Sequence, residues 1–419
     1  MKSKFFYIYC SIIFFTIQLS SCSSFIAIER NDFSCSDTAF VKYIKAEDIP
    51  YTQGNKVTML DGAQEKFDSL FNDIRKAEHH IHLEYFNFRN DSINELLLTL
   101  LAQKAKEGVE VRALFDAFGN LSNNQPLKNK NIEDIRATGI QIEKFDPFCF
   151  PWINHAFSRD HRKIVIIDGK VAYTGGINVA DYYLEGLEGI GEWRDIHSKI
   201  EGAAVNVLQQ IFLDMWNKET KQDIGGEAYL PEQPKKGNAE VAVVDRCPHK
   251  TPKRMRQAYA NAIHSAKDSI ILVNPYFMPM PIIKKALEKA IDDSVKVTII
   301  LSEKGDIPMI PDGVWRVGYQ LMKRGAEVYM FTNGFNHAKA MCIDGKYCTV
   351  GSANMNSRSL RYDYETNIFV FGEEDAEELY NLLKKDVGKS YPLTKDIYKQ
   401  RGWWRRFCGW LISLITPLC

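Results

Sequence analysis

His161-Arg-Lys163-Ile-Val-Ile-Ile-Asp168-Gly169 returns later in the chain as His337-Ala-Lys339-Ala-Met-Cys-Ile-Asp344-Gly345. In both copies a Gly stands fourteen and an Asn seventeen residues after the His: Gly175 and Asn178, then Gly351 and Asn354. Side chains alternate across a strand, so His, Lys and the residue two further on share one face, and apolar residues take the other. Asp-Gly after an apolar run is a strong hairpin signal. The turns account for Asp and Gly but not for His and Lys. Two copies with matched Gly and Asn offsets mark an internal duplication.

The same order of elements precedes each copy. In the first half, strands over His80–Phe86, Val109–Phe115 and Ile140–Phe145 alternate with helices, one of them over Ile93–Lys106. In the second, strands over Ser269–Val273, Val295–Leu301 and Ala326–Phe331 do the same, with a helix over Ile282–Ile291. Gly139 and Gly325 stand alike before each third strand, where a helix ends most easily on a residue free to turn left-handed. Alternating strands and helices predict an α/β fold of two βαβ sandwich halves with mixed, mainly parallel sheets.

An imidazole followed two residues later by an amine, twice, supplies two histidines and two cations that converge well on one anion. A phosphoryl group needs that set: one His attacks phosphorus, the other protonates the leaving oxygen, and Lys163 and Lys339 neutralise the remaining oxygens with help from Asn178, Asn354 and Ser352. Each His needs a carboxylate to fix its tautomer. The candidates are Glu365 and Asp195, both of which open an apolar strand. The lysines supply the positive charge, so neither a metal nor another cofactor is called for. His79, His80 and His82 form a cluster, read here as the start of a strand on a surface turn rather than a metal site.

This pair of motifs is the signature of the phospholipase D superfamily. Phe157-Ser-Arg-Asp-His161-Arg-Lys163, Tyr173-Thr-Gly-Gly-Ile-Asn178 and Trp193-Arg-Asp195 resemble the first half of bacterial cardiolipin synthases. Asn274-Pro-Tyr-Phe277, Gly334-Phe-Asn-His337-Ala-Lys339, Gly351-Ser352-Ala-Asn354 and Arg358-Ser-Leu360 resemble the second. The resemblance implies a duplicated phospholipase D-like fold with one active site at the interface of the halves. His161, Lys163, Asp168, His337, Lys339 and Asp344 form its catalytic set, with His161 as nucleophile and His337 as acid. It also implies transfer of a phosphatidyl group from one phosphatidylglycerol to another, releasing glycerol, through a phosphohistidine. Hydrolysis by a phospholipase D, or transfer to another alcohol, is the alternative. Family members usually carry Asp where Asn356 stands and Asn where Asp363 stands, and the stretch Met278–Pro281 lacks an acid often found there. These departures leave the catalytic set whole and bear on the acceptor.

The 419 residues carry 53 Lys+Arg and 53 Asp+Glu, so no global basic field recruits nucleic acid. Nine cysteines without a CxxC pair argue against both a disulfide scaffold and a structural zinc. No interior run reaches the roughly 18 apolar residues of a spanning helix. Both ends point to a membrane surface. Lys2 and Lys4, an apolar core over Phe5–Ile17 and Leu19-Ser-Ser-Cys22 resemble a bacterial lipoprotein signal, which implies acylation of Cys22 and anchoring in the cell envelope outside the cytoplasm. Arg401-Gly-Trp-Trp-Arg-Arg-Phe-Cys-Gly-Trp begins a basic, aromatic tail in which Trp404, Cys408, Leu411, Ile415 and Leu418 fall at helical spacing. Such a tail suits either the headgroup zone of a bilayer or a docked terminal helix. The chain therefore divides into a signal (1–21), an N-terminal linker (22–60), two halves (61–225 and 241–395) joined by 226–240, and the tail (396–419).

Overall fold

The computed structural model describes residues 39–147 and 158–415. The signal-like segment with Cys22 lies outside them. The first-half strands are β1 (Tyr51–Asp61), β2 (His80–Tyr85), β3 (Glu110–Asp116), β4 (Gln141–Phe145), β5 (Lys163–Ile167), β6 (Val171–Gly175), β7 (Glu192–Arg194) and β8 (Ile196–Glu201). The second-half strands are β9 (Ala239–Arg246), β10 (Ser269–Val273), β11 (Lys296–Ser302), β12 (Glu327–Phe331), β13 (Gly334–Asn336), β14 (Ala340–Ile343), β15 (Tyr347–Gly351), β16 (Glu365–Phe371) and β17 (Ser390–Pro392). All but β7 and β13 join one sheet in the order β17-β12-β11-β10-β14-β15-β16-β9-β1-β8-β6-β5-β2-β3-β4.

The duplication and the mixed α/β sheet stand, but the expected parallel majority does not. Parallel pairing is confined to β2-β3-β4 and β10-β11-β12, and every other neighbouring pair in the large sheet is antiparallel. The reason lies in the turns. A parallel step needs a crossover helix, whereas a two-residue turn joins only antiparallel strands. Asp168 and Gly169 have φ of 53° and 62°, and Asp344 and Gly345 have 53° and 63°. Lys170 N–H donates to Ile167 O at 2.9 Å, and Lys346 N–H to Ile343 O at 3.0 Å. Two successive positive φ values match the twist of a tight hairpin.

Residues 39–60, expected as a linker, are built into the fold. The helix Ala39–Ala46 buries Phe40, Val41, Tyr43 and Ile44 in the second-half core, with the Phe40 ring 5.0 Å from Phe369 and 5.5 Å from Tyr347. Burying one such side chain stabilises by about 1.5–3 kcal/mol. The end of β1 pairs with β8 (Lys56↔Glu201 to Asp61↔Ile196) and its beginning with β9 (Tyr51↔Ala242), so one strand seams the two half-sheets. β2 and β5 are buried at every position. Both faces of the sheet are covered there, so the polar His80, His82 and Glu84 of β2 are buried along with its apolar residues.

The tail helix Gly402–Ile415 docks on the helix Ile310–Arg324. A Cβ on Gly409 would fall 2.4 Å from the Asp312 carbonyl oxygen, and one on Gly313 would fall 2.7 Å from an Ile412 methyl. These two glycines let the backbones close up, so the docked face centres on Cys408, Gly409 and Ile412. The stripe read from the sequence is split as a result: Cys408 is buried, while Trp404 and Leu411 face outward. Leu418 and the side chain of Ile415 lie outside the described residues. Among the described residues no helix is long and apolar enough to cross a membrane.

Candidate active site

Each half pins its histidine on the other. His161 precedes β5, and its N–H donates to Tyr364 O at 3.0 Å, while Tyr364 N–H donates to Arg159 O at 2.8 Å. In mirrored fashion β13 runs parallel to β7, and His337 N–H donates to Arg194 O at 2.6 Å. The residues next after Tyr364 and Arg194 are Glu365 and Asp195. His161 Nδ1 lies 3.0 Å from Glu365 Oε1, and His337 Nδ1 lies 2.7 Å from Asp195 Oδ2. Both candidate acids therefore serve, each holding the histidine of the opposite half. A carboxylate only accepts, so each Nδ1 carries the proton and each Nε2 is left with a lone pair.

The two lysines complete the centre. Lys163 Nζ donates to His161 O at 2.6 Å, and Lys339 Nζ donates to His337 O and lies 2.9 and 3.0 Å from the two ring nitrogens of His337. Burial pushes the Lys163 ammonium down to about 7, with Lys339 lowering it further and Glu365 opposing. Burial likewise pushes Lys339 down to about 8. Burial and the neighbouring Lys163 hold the His161 imidazole neutral, at about 4. Burial and Lys339, then Lys163 and His161, hold His337 well below its ordinary value. Burial raises the Asp195 carboxyl to about 6. Burial also pushes Glu365 up, but His161, Lys163 and Ser352 together outweigh it and keep that carboxyl below its usual range. All these groups feel one another across the interface. An anion placed among them offsets the burial that now depresses the lysines.

The flanking residues break the symmetry. Ser352 Oγ donates to Glu365 Oε2. The corresponding position in the first half is Gly176, where a Cβ would fall 2.3 Å from Asp195 Oδ1. Asn178 Nδ2 donates to the Tyr183 hydroxyl at 3.0 Å, and the Oδ1 atoms of Asn178 and Asn354 are buried without a partner. Each amide oxygen keeps an open acceptor site, which a bound hydroxyl would satisfy.

Asp168 and Asp344 do not join the others. Their carboxylates cap strand starts: Asp168 accepts the N–H groups of Glu78, His79 and His80, and Asp344 those of Lys267, Asp268 and Ser269. Asp168 stands five positions beyond Lys163 along β5, a run of about 17 Å at 3.3 Å per residue. The repeated Asp therefore has a structural role here. His80 and His82 are buried rather than on a surface turn: the His82 ring stacks on Phe212 at 4.4 Å, and both histidines share the Gln209 amide. Helix Ala204–Thr220 covers the strand that the sequence leaves open.

Two groups escape sequence reading. Beneath His161, Arg162 bonds both oxygens of Asp245 at 2.8 Å and Glu84 at 3.3 Å, all but Asp245 being buried. Arg246 stands opposite Glu365 in the β9–β16 register, so both side chains leave the same face of the sheet. Its Nη1 donates to Asp363 O, while Nε and Nη2 are buried without partners. A charged residue inside a strand is the only signal either group gives. Around His337, Tyr183, Trp193, Tyr276 and Phe335 place their rings within 5.5–6.1 Å.

Residues 70–216 and 259–387 match the family model described as cardiolipin synthase, PLD-like domain. The chain is 34% identical over 399 residues to the cardiolipin synthase of Oceanobacillus iheyensis, covering 93% of this chain and 82% of that one. It is 32% identical over 415 residues to the cardiolipin synthase of Listeria monocytogenes, covering 96% and 85%. Among solved structures, the phosphatidylserine synthase of Haemophilus influenzae superposes with a TM-score of 0.67 at 14% identity, over 90% of this chain and all of that one. At that identity the likeness speaks to the fold.

Proposed function

This chain belongs to the cardiolipin synthase family with its PLD-like domain, and from that membership we propose that it moves a phosphatidyl group from one phosphatidylglycerol to the hydroxyl of another through a phosphohistidine. His161 Nε2 attacks phosphorus. A P–N bond forms, the P–O bond to glycerol breaks, and the departing oxygen takes a proton from His337. The acceptor's hydroxyl then returns its proton to His337 and attacks phosphorus, breaking the P–N bond. Cardiolipin and one glycerol leave, and both histidines are restored.

The observation that carries this reading is the crossed pairing of His161 with Glu365 and His337 with Asp195. It leaves each Nε2 without a carboxylate while both ammonium groups act on both histidines, the set that an exchange at phosphorus requires. The nucleophile must be neutral, and burial with Lys163 keeps His161 so. His337 takes up its proton when the phosphodiester's charge offsets Lys339. The wider opening at His161, 14% exposed against 7% for His337, also favours it as the attacking residue.

The substrates are lipids of a bacterial membrane, and two elements hold the enzyme to that surface: an acyl group on Cys22 and the outward face of the tail helix. The central test is lipid analysis of a strain lacking its own cardiolipin synthases. Cardiolipin appearing with this chain, and not with its His161→Ala or His337→Ala variants, supports the reading. Phosphatidic acid in its place gives hydrolysis instead. Cys22→Ser removes incorporation of labelled fatty acid if Cys22 is the anchor, and unchanged labelling refutes it.

A further inference from the structure

Beside the catalytic centre lies a second cationic recess that the transfer reaction does not use. Lys304, Arg401 and Arg405 line an open cavity of about 490 Å³ together with Ile190, Ile307 and Met309. That volume is typical of pockets for small ligands, about 300–1,000 Å³. Its charges do not cancel. Arg401 and Arg405 share the single carboxylate of buried Asp312, the second at 3.4 Å. Lys304 Nζ reaches the Ile190 carbonyl at 3.4 Å, and Glu303 on the same wall is engaged by Tyr391. Of the groups lining the recess, three cations stand against Glu303 alone, with Asp312 buried behind the arginines and Asp306 held by Tyr276 on the neighbouring recess. A phosphodiester carries one negative charge.

The rim is apolar on both sides. Ile307 and Met309 are 48% and 46% exposed on one side. On the other the tail helix turns Trp403 (71%) and Trp404 (58%) to solvent, followed by Phe407, Trp410, Leu411 and Leu414. No acidic residue interrupts residues 401–415. Cationic groups at a recess and indole rings around it match the two layers of a bilayer surface, charged headgroups above acyl chains. Gly305, Ile307 and Pro311 also line a smaller neighbouring recess walled by Tyr276 and Phe335. Those two rings stand 6.1 and 5.7 Å from the His337 ring.

We propose that the recess between Lys304 and the start of the tail helix docks the phosphodiester headgroup of an anionic phospholipid, a second lipid site distinct from the His161–His337 centre. It rests on the reading that the substrates lie in a bilayer, and deepens it by placing the membrane-facing surface. The tail helix works as a clamp: its inner face is fixed by Asp312, and its outer face meets the lipid.

The test uses the full chain and sedimentation with vesicles of pure phosphatidylcholine or of equal parts phosphatidylcholine and phosphatidylglycerol. Turnover of a short-chain soluble phosphatidylglycerol is read in parallel. The pair Lys304→Gln with Arg405→Gln is expected to lower affinity for the mixed vesicles by at least about tenfold, since each basic residue near an anionic surface contributes about 1 kcal/mol. Binding to phosphatidylcholine and soluble turnover stay as in the wild type. Arg406→Gln, on the same helix but off the recess, should cost clearly less. Glycerophosphoglycerol should compete with the mixed vesicles where the same concentration of inorganic phosphate does not. Unchanged binding of the pair, an equal loss in Arg406→Gln, or equal competition by inorganic phosphate overturns the proposal. Failure of the wild type to turn over the soluble substrate counts against the transfer reading instead.

Discussion

Replacing Glu365 by Gln changes almost nothing but charge, which makes it the sharpest probe of the crossed histidine pairs. Glu365 is fully buried, accepts His161 Nδ1–H at 3.0 Å and receives the Ser352 hydroxyl. When His161 Nε2 bonds to phosphorus the ring becomes cationic, and the carboxylate is its nearest counter-charge. Opposite charges about 4 Å apart interact by about 4 kcal/mol at an effective dielectric of about 20. The lower bound is a single hydrogen bond to a charged group, about 1.5–3 kcal/mol. At 1.36 kcal/mol per tenfold, Glu365→Gln should lower kcat by about 10- to 10³-fold, with KM little moved and the thermal midpoint near that of the wild type. Asp195→Asn should do the same through His337. A substrate whose leaving group departs as a stable anion separates the roles, because it needs no proton. Release of that group should be rescued in Asp195→Asn but not in Glu365→Gln. A folded Glu365→Gln enzyme within tenfold of wild-type kcat would refute the reasoning, and rescue of Glu365→Gln alone would exchange the roles of the histidines.

Three further outcomes follow from the same geometry. Lys163 and Lys339, at about 7 and 8, must be protonated to hold the phosphate. As pH rises through those values the free enzyme loses its cations and kcat/KM falls, whereas kcat holds to higher pH because bound phosphate retains the protons; coincident alkaline limbs would contradict this. Asp168→Asn weakens three backbone hydrogen bonds at the start of β2 and should cost about 1–3 kcal/mol of stability, read as a drop of a few degrees in Tm, with kcat on soluble substrate within about twofold. Loss of kcat without loss of Tm would return Asp168 to the chemistry. Gly176→Ala puts a methyl group into Asp195 and should reduce kcat as far as Asp195→Asn, while Ser352→Ala gives up one hydrogen bond and should cost about tenfold or less; equal, mild effects would show that the glycine is not there to seat the carboxylate.

The sequence carries the duplication, the order of strands and helices that leads into each His-Lys motif, and the two histidines, two lysines and two acids that the structure brings together, but not the helix and strand of residues 39–61. These rest on short-range regularities: strand alternation, Asp-Gly turns, and matched offsets after each His. Partnership was beyond it. Nothing in a single chain read residue by residue says whether Glu365 serves its own His337 or the distant His161, because both distances along the chain are compatible with a carboxylate opening a strand. The interface decides, through Tyr364 O and Arg194 O, which receive the opposite histidine's N–H and thereby aim the following acid across the boundary. The repeated Asp misled for a related reason. Its spacing from His is as regular as that of Lys, but a strand of extended residues carries Asp168 to the far end, where its partners are backbone amides rather than a ligand. The tail shows the same division. Its composition predicts a helix with aromatic and cationic residues, while only the close approach of Gly409 and Gly313 fixes which face docks and which face, with Trp403 and Trp404, is left exposed.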